Sequence, residues 1–527
     1  MLLLVAVYAL LDMVSSVIVH STFGNILGHD AFTSDMEPCE EFLGIPFAER
    51  PQRFELPKAW RKSYGPNGLI AKQYGSWCPQ MDELETSGSE DCLFLNIWRP
   101  RGSLPGGNLT MMVWIYGGAF SSGDAGDRET PNTYDGCGLA ARHNVIVAAM
   151  NYRLGPLGFA AFLGSNGSMD TNFGIEDQRA ALRWLLLQAS NFGADPAKIT
   201  IFGESAGGMS VFFHIASLRS AGLFRAAISE SGLPFALGRE YNLQNTAAFA
   251  RSVGCNNVET FRTCLTNKSA AVLIKAASTA SGLIDSRQWG PTVDGVDMVD
   301  YPRSLFLHGR TRAVPILAGM NTDESNIFLW PEYPHGMNMS QYHDFMTKVF
   351  TSLDPNLALN PAQLTEVLHK YPATSSGDQR PLASRVFTDY GILCGTLNAL
   401  LGLSAKANTF LYRFDYRTTC PRPGSIPGAY HALELPYVFG TPGSYGCSFT
   451  AVERALSVRM QKAWTNFAKY LHPAIDGESF PAFNNASQKS IVFRAPSDMV
   501  DAGYRSDDCR FWFKIWRSKH EPNHIHI

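Results

Sequence analysis

Residues 199–208 read Ile-Thr-Ile-Phe-Gly-Glu-Ser-Ala-Gly-Gly, and this stretch decides the fold. An apolar, β-branched run breaks at Gly203, and residues 209–216 then suit a helix. Gly203 and Gly207 flank Ser205 at positions where a Cβ would collide with neighbouring backbone if a strand turned sharply into a helix. A Gly-x-Ser-x-Gly pattern also occurs by chance in ordinary turns, but the flanking strand and helix favour a nucleophile elbow with Ser205 at its apex.

The chain alternates between short buried strands and helical patterns. The helix is clearest over residues 175–188, where Ala180, Leu182 and Leu185 belong to an apolar face. The strand-like runs are residues 111–116, 145–150, 198–202, 226–229, 315–319 and 409–414. Such alternation predicts an α/β fold with a mostly parallel sheet covered by helices on both faces. Active sites in these sheets lie at the carboxyl ends of the strands, where Ser205 is expected.

Composition excludes several classes of function. The 527 residues carry a net charge of −3 with no basic stripe, so nucleic-acid binding and electrostatic capture by anionic membranes are not expected. No linker, low-complexity tract or repeat divides the chain, so we expect one catalytic domain over residues 17–527. The substrate is expected to be small or neutral.

The N-terminus predicts entry into the secretory pathway. Residues 2–11 form an apolar run too short to span a bilayer, which suits a signal peptide over residues 1–16. Asp12 interrupts this pattern and no Lys or Arg precedes it, so an N-terminal strand is the alternative. Acceptor sequons for N-glycosylation begin at Asn108, Asn166, Asn267, Asn338 and Asn485. The C-terminus shows no hydrophobic anchor tail, and we expect a secreted protein without a stable membrane anchor.

The cysteines point to the same compartment. Ten are present, without a Cys-x-x-Cys pair or a Cys/His spacing typical of metal sites. An even number in this pattern favours disulfides formed under oxidising conditions. We therefore expect no metal and no cofactor.

A nucleophilic serine also needs donors for the oxyanion that its attack creates. Gly117, Gly118, Ala119 and Phe120 follow the strand-like run at 111–116 and form a small-residue loop. Its backbone N–H groups, together with that of Ala206, are expected to converge beside the serine. A plain Gly-Gly turn is the alternative.

The serine needs a base and an acid as well. In α/β-hydrolases the order along the chain is serine, acid, histidine. Of the 13 histidines, His431 follows the strand-like run at 409–414 within a loop, and Glu324 follows the run at 315–319. Asp323 competes with Glu324 for the acid's role.

Taken together, these stretches resemble the type-B carboxylesterase/lipase family, which includes cholinesterases and fungal lipases, and the pattern is most similar to fungal secreted carboxylesterases. The resemblance rests on residues 42–48 (FLGIPFA), 89–96 (SEDCLFLN), 151–155 (NYRLG), 191–196 (NFGADP), 202–208 (FGESAGG) and 431–436 (HALELP). It implies an α/β-hydrolase fold. The catalytic residues that it implies are Ser205 as nucleophile, His431 as general base and Glu324 as acid, with oxyanion donors from Gly118, Ala119 and Ala206.

Three departures from the family pattern leave this set intact. Ala119 stands where many members have a third Gly, Ser325 follows Glu324 where Gly is usual, and Ala194 replaces a Gly. No departure removes a catalytic group. We therefore expect an active enzyme rather than one of the family's adhesion proteins that lack the serine.

The resemblance also implies structural pairs. The disulfides that it implies are Cys78–Cys92, Cys255–Cys264 and Cys394–Cys509, and the ion pairs are Arg53–Glu90 and Arg153–Asp177. Cys420 and Cys447 flank the His431 loop and are candidates for a further bridge, whereas Cys39 and Cys137 stay unassigned.

The loop between Cys78 and Cys92 bears on the substrate. Residues 79–91 are fewer than in cholinesterases and include no aromatic residue, although cholinesterases provide a tryptophan from this loop for the choline group. The loop is also too short for the amphipathic lid of a lipase. We expect hydrolysis of a neutral, small or aromatic ester. The alternatives are an acyltransferase, a transesterase or lactonase with the same triad, and a non-catalytic binding module; the oligomeric state stays open.

Overall fold

The computed structural model describes residues 16–82, 85–126, 132–164, 167–278, 289–351, 358–419, 426–478 and 480–520. The predicted signal peptide lies almost entirely outside these residues, as do Cys420 and the sequon at Asn166.

One large sheet dominates the described residues. Its strands, with two short hairpins, are β1 (Ser16–Ser21), β2 (Gly24–Phe32), β3 (Pro38–Pro46), β4 (Leu69–Ile70), β5 (Gln80–Asp82), β6 (Glu85–Ser87), β7 (Phe94–Pro100), β8 (Leu109–Ile115), β9 (Ile146–Met150), β10 (Phe162–Leu163), β11 (Met169–Asp170), β12 (Ala194–Glu204), β13 (Ala226–Glu230), β14 (Ile316–Asn321), β15 (Thr409–Phe414), β16 (Lys489–Phe493) and β17 (Met499–Ala502). The order in the 13-stranded sheet is β1-β2-β3-β7-β9-β8-β12-β13-β14-β15-β16-β17, with β4 beside β2.

The centre of this sheet is parallel. All pairings from β9 through β8, β12, β13, β14 and β15 to β16 are parallel, while β1, β2, β3, β7 and β17 pair antiparallel at the two sides. Every residue of β9, β13 and β14 is buried. Continuous apolar runs are needed there because helices cover both faces.

The helices lie between these strands. They are α1 (Cys137–His143), α2 (Gly155–Phe159), α3 (Phe173–Phe192), α4 (Ala206–Ala216), α5 (Arg239–Ser252), α6 (Phe261–Thr266), α7 (Ala270–Ser278), α8 (Pro302–Leu307), α9 (Asn326–Glu332), α10 (Met339–Thr351), α11 (Pro361–Lys370), α12 (Arg380–Thr388), α13 (Cys394–Ser404), α14 (Leu435–Phe439), α15 (Ala451–Tyr470) and α16 (Ser506–His520). The α/β-hydrolase architecture expected from the sequence is confirmed.

The stretch Arg380–Ser404, which includes α12 and α13, is long and apolar enough to cross a membrane. However, 72% of its most apolar window is buried inside the protein. This burial is typical of a core helix in a soluble protein.

Disulfides and ion pairs join separate segments of the fold. The structure links Cys78 to Cys92, Cys255 to Cys264 and Cys394 to Cys509, which are the pairs implied by the family resemblance. It also joins the unassigned Cys39 and Cys137, and so connects β3 to α1. The ion pairs Arg53–Glu90 (2.6 Å) and Arg153–Asp177 (2.7 Å) form as well.

Candidate active site

Ser205 occupies the apex of the turn between β12 and α4. Its backbone has φ 56° and ψ −122°, a strained conformation for a residue with a side chain. The Ser205 N–H donates to the carbonyl of Glu230 at 2.9 Å, which ties the turn to β13. A Cβ on Gly207 would lie 1.9 Å from the Ile115 carbonyl oxygen, and one on Gly203 would lie 2.5 Å from the same atom. Only glycine fits at these two positions, as the sequence pattern predicted.

The loop after β8 lies across from this turn. Gly118 and Ala119 have φ values of 99° and 53°, and both residues are exposed. Within the described part of the chain, the backbone N–H groups of Gly118, Ala119 and Ala206 donate to no other protein atom. These three residues therefore offer unused backbone donors, as an oxyanion hole requires.

His431 and Glu324 come together at the ends of neighbouring segments. His431 Nδ1 lies 2.6 Å from Glu324 Oε2. The other Glu324 oxygen, Oε1, accepts hydrogen bonds from Ser231 Oγ (2.6 Å) and from the Asn321 N–H (2.7 Å). The Glu324 side chain is fully buried, so these contacts hold its carboxylate in one orientation.

The competing carboxylate has another role. Asp323 Oδ2 accepts the N–H of Ala429 at 3.0 Å, and the Asp323 N–H donates to the Ala429 carbonyl at 2.9 Å. Asp323 thus attaches the loop that carries His431, while Glu324 contacts the imidazole itself. The geometry favours Glu324 as the acid.

The second ring nitrogen of His431 has a partner that the sequence did not indicate. Nε2 lies 3.0 Å from Glu204 Oε1, the carboxylate of the residue that precedes Ser205. Among the hydrogen bonds of the described residues, none joins His431 to Ser205 Oγ. The imidazole therefore lies between two buried carboxylates.

These carboxylates control the charge of the ring. Burial would lower the pKa of His431, but attraction by Glu204 and Glu324 outweighs it and raises this pKa to about 10. Burial, together with repulsion by Glu204 and Glu324, raises the pKa of Glu434 to about 8. Burial and the nearby Glu434 also raise the pKa of Glu230 well above its usual range. These carboxyls and the imidazole interact electrostatically, so His431 does not titrate alone.

Aromatic side chains border this group. The Phe328 ring lies 5.6 Å from that of His431. Phe120 and Phe235 both approach the position of a Cβ on Gly290 at 3.2 Å. By contrast, Trp330 packs under the Arg380 guanidinium at 4.5 Å, so it serves packing rather than the site.

Sequence reasoning missed two carboxyls of the site. Glu204 stands inside the elbow motif, and Glu434 lies three residues after His431 in the HALELP stretch. A signal existed, since a charged residue directly before a candidate nucleophile is unusual. The contact of Glu204 with His431 depends on how three separate segments of the chain meet, and spacing along the sequence does not reveal this.

Comparisons with known proteins agree with this architecture. A model of the carboxylesterase family matches residues 15–512. The chain is 34% identical to a cholinesterase of Mus musculus over 507 residues (89% of this chain, 82% of the relative). It is 33% identical to the para-nitrobenzyl esterase of Bacillus subtilis (strain 168) over 475 residues (86% and 90%). Identity to an acetylcholinesterase of Danio rerio is 30% over 568 residues (94% and 87%). The chain therefore belongs to the carboxylesterase family, and it is a carboxylic-ester hydrolase.

Proposed function

We propose that Ser205, His431 and Glu324 form the catalytic triad of a serine esterase that works through an acyl-enzyme. The observation that carries this proposal is the 2.6 Å contact between His431 and a buried Glu324, beside a serine in the strained backbone of an elbow. Gly118, Ala119 and Ala206 are proposed as donors to the oxyanion, because their N–H groups are unused. The set needs no metal or organic cofactor for this chemistry.

The reaction proceeds in two halves. His431 Nε2 takes the Ser205 proton as Oγ attacks the ester carbonyl, and then gives it to the leaving alcohol. Glu324 holds Nδ1 and stabilises the imidazolium. Water then attacks the acyl-enzyme in the same way and releases the acid. Before the first step, Nε2 has to exchange Glu204 for Ser205, the next residue in the chain.

Neutral esters with small or aromatic groups suit this site. Phe328 supplies aromatic surface beside the His431 ring, and Phe120 directly follows the proposed oxyanion donor Ala119 in the chain. Residues 79–91 contain no aromatic side chain for a choline group, so choline esters are expected to be poor substrates.

Long-chain triglycerides are disfavoured for a related reason. Gln80, in the loop closed by Cys78 and Cys92, holds Gly123 with two hydrogen bonds of 2.8 Å through its side-chain amide. Both contacts attach this loop to the segment that follows the proposed oxyanion donors. A fixed short loop does not act as an opening lid.

We also propose that the protein is a secreted glycoprotein with one catalytic domain over residues 17–527. Four disulfides in the described residues support an oxidising compartment. The sequon residues Asn108, Asn267, Asn338 and Asn485 are exposed, as glycosylation requires.

The test is a series of p-nitrophenyl esters from acetate to palmitate, with triolein and butyrylthiocholine beside them. We expect fast turnover of short acyl chains and loss of several orders of magnitude with Ser205→Ala. Free acid, rather than a transferred acyl group, is the expected product. Full activity of Ser205→Ala would defeat the proposal, and rapid turnover of butyrylthiocholine would overturn the substrate assignment alone.

A further inference from the structure

A buried arginine without an anionic partner lines a cleft between α8, α13 and α16. Arg303 is 9% exposed, and its guanidinium stacks on the Trp516 ring at 3.7 Å. Among the described residues, no carboxylate lies within ion-pair distance of it. The other well-buried arginines of the described residues, Arg99, Arg153 and Arg179, all pair with a carboxylate. Arg303 thus differs from these arginines, because it has no carboxylate partner.

The energetics of this arginine call for a partner. Burial lowers the pKa of Arg303, and the neighbouring Tyr390 offsets this only in part. Stacking on tryptophan stabilises a cation through the face of the guanidinium. Tyr390 takes a hydrogen bond from this group, whereas Arg303 Nε has no hydrogen-bond partner among the described residues and can donate to a ligand. A buried charge without a counter-ion is unfavourable, so the site gains stability when an anion enters.

Other unused polar atoms border the same cleft. In the described part of the chain, Arg303 Nε, Trp516 Nε1 and Asn398 Oδ1 are buried and have no hydrogen-bond partner. The first two can only donate. The amide of Asn398 becomes a donor when its oxygen and nitrogen exchange places. The cleft therefore offers hydrogen-bond donors, and a ligand that binds there should carry a hydrogen-bond acceptor.

The shape and walls define the ligand further. The space enclosed beside Arg303 is about 20 Å³, which suits a carboxylate-sized group, and Leu307, Phe513 and Trp516 provide apolar walls where the cleft opens to solvent. Arg517 adds a second cation at its exposed rim. One buried fork-shaped cation matches a planar carboxylate better than a multiply charged phosphate.

We propose that this cleft binds a small organic monocarboxylate with an apolar body, its carboxylate on Arg303 and its body against Leu307 and Trp516. The cleft lies apart from the proposed triad. Helix α8 separates the two, since Phe306 on its inner side packs at 5.5 Å against Phe212 of α4. The proposal goes beyond ester hydrolysis and does not depend on it.

Benzoate is a suitable probe, measured by isothermal titration calorimetry on the full chain. We expect one saturable binding event that weakens at least tenfold in Arg303→Met. Leu307 is half-buried, so a tryptophan at this position fills the cleft. Leu307→Trp should therefore weaken benzoate binding to a similar extent while the charge of Arg303 is kept. Arg251→Met is the matched control, because Arg251 is an exposed arginine stacked on Phe261 at 5.8 Å elsewhere in the protein, and it should bind like the wild type. Neutral benzamide should bind at least tenfold more weakly than benzoate.

Several outcomes would overturn the assignment. If benzoate binds beside Ser205 instead, its affinity for Arg303→Met and Leu307→Trp will equal that for the wild type, and this result contradicts the proposal. So does the absence of any binding, or equal binding of benzamide. If Arg303→Met fails to fold, Leu307→Trp and the comparison with benzamide decide the question, with hydrolysis of p-nitrophenyl acetate reporting that the variant is folded.

Discussion

At the scale of single residues, the two ring nitrogens of His431 face different carboxylates. Glu324 is held by Ser231 and by the Asn321 backbone, whereas Glu204 Oε1 lies 3.0 Å from Nε2. A carboxylate this close favours the imidazolium and so opposes the general-base role that we propose for His431. We therefore expect Glu204 to set the pH at which the site becomes competent.

Replacing Glu204 by Gln removes that charge and keeps the size of the side chain. Because the active form has a neutral His431, we expect the acidic midpoint of the kcat/KM profile to move to lower pH by about one to three units. The measurement is hydrolysis of p-nitrophenyl acetate as a function of pH. Asp323→Asn is the control, since Asp323 faces Ala429 instead of the ring. An unchanged midpoint in Glu204→Gln would contradict this view of the site.

At the scale of elements, α15 shows how a helix start is fixed by side chains. Thr450 Oγ1 accepts the Glu453 N–H at 3.3 Å, and Glu453 Oε2 accepts the Thr450 N–H at 2.9 Å. Glu453 also accepts the N–H of Thr419 from the segment after β15. Burial would raise the pKa of Glu453, but these hydrogen bonds outweigh it and lower the pKa to about 2.

This lowered pKa makes the contribution of Glu453 depend on pH. Its stabilisation is fully present above the unfolded value of 4.5 and is lost as pH falls toward 2. We expect Glu453→Gln to lower the free energy of unfolding by about 1–3 kcal/mol at pH 7, with a smaller difference below pH 4.5. Urea unfolding at several pH values measures this. Glu55→Gln, at an exposed site, should show no such difference; equal stability of Glu453→Gln and wild type at pH 7 would refute the prediction.

The strands also show which features of the fold sequence patterns can predict. All six strand-like runs fall in central strands, because buried parallel strands need continuous apolar residues. Their ends differ, however: the run at 198–202 belongs to β12, which spans Ala194–Glu204 and includes Asp195 and Pro196. Pairing of Ala194 with Leu109 across an irregularity in register extends the strand beyond its local propensity. Tertiary pairing decided this boundary.

At the scale of the whole molecule, four disulfides in the described residues close loops of very different length. Cys39–Cys137 spans 98 residues and Cys255–Cys264 spans 9. Local sequence could not supply the first pair, because its partners lie far apart in the chain and meet only when β3 packs beside α1. The resemblance to the family implied the two short pairs, Cys78–Cys92 and Cys255–Cys264, and also Cys394–Cys509, which spans 115 residues.

Loop length predicts unequal effects of removing these two bridges. In the chain-entropy model, the longer loop contributes about 4.7 kcal/mol and the shorter one about 2.6 kcal/mol. We therefore expect the double variant Cys39→Ser/Cys137→Ser to lose more stability than Cys255→Ser/Cys264→Ser in denaturant unfolding. Equal losses, or a larger loss for the shorter loop, would show that the contacts around each bridge outweigh loop closure.

The central claim is that Ser205 is the nucleophile, activated by His431 and Glu324. The most direct test is to treat the protein with an organophosphate and map the modified residue by mass spectrometry of its peptides, alongside residual hydrolysis of p-nitrophenyl acetate. The account predicts one phosphoryl group on Ser205 and a loss of activity in proportion to labelling. Ser205→Ala should not be labelled, and His431→Ala should be labelled more slowly than the wild type. Activity that survives full modification of Ser205, or stoichiometric labelling of another residue with loss of activity, would contradict it.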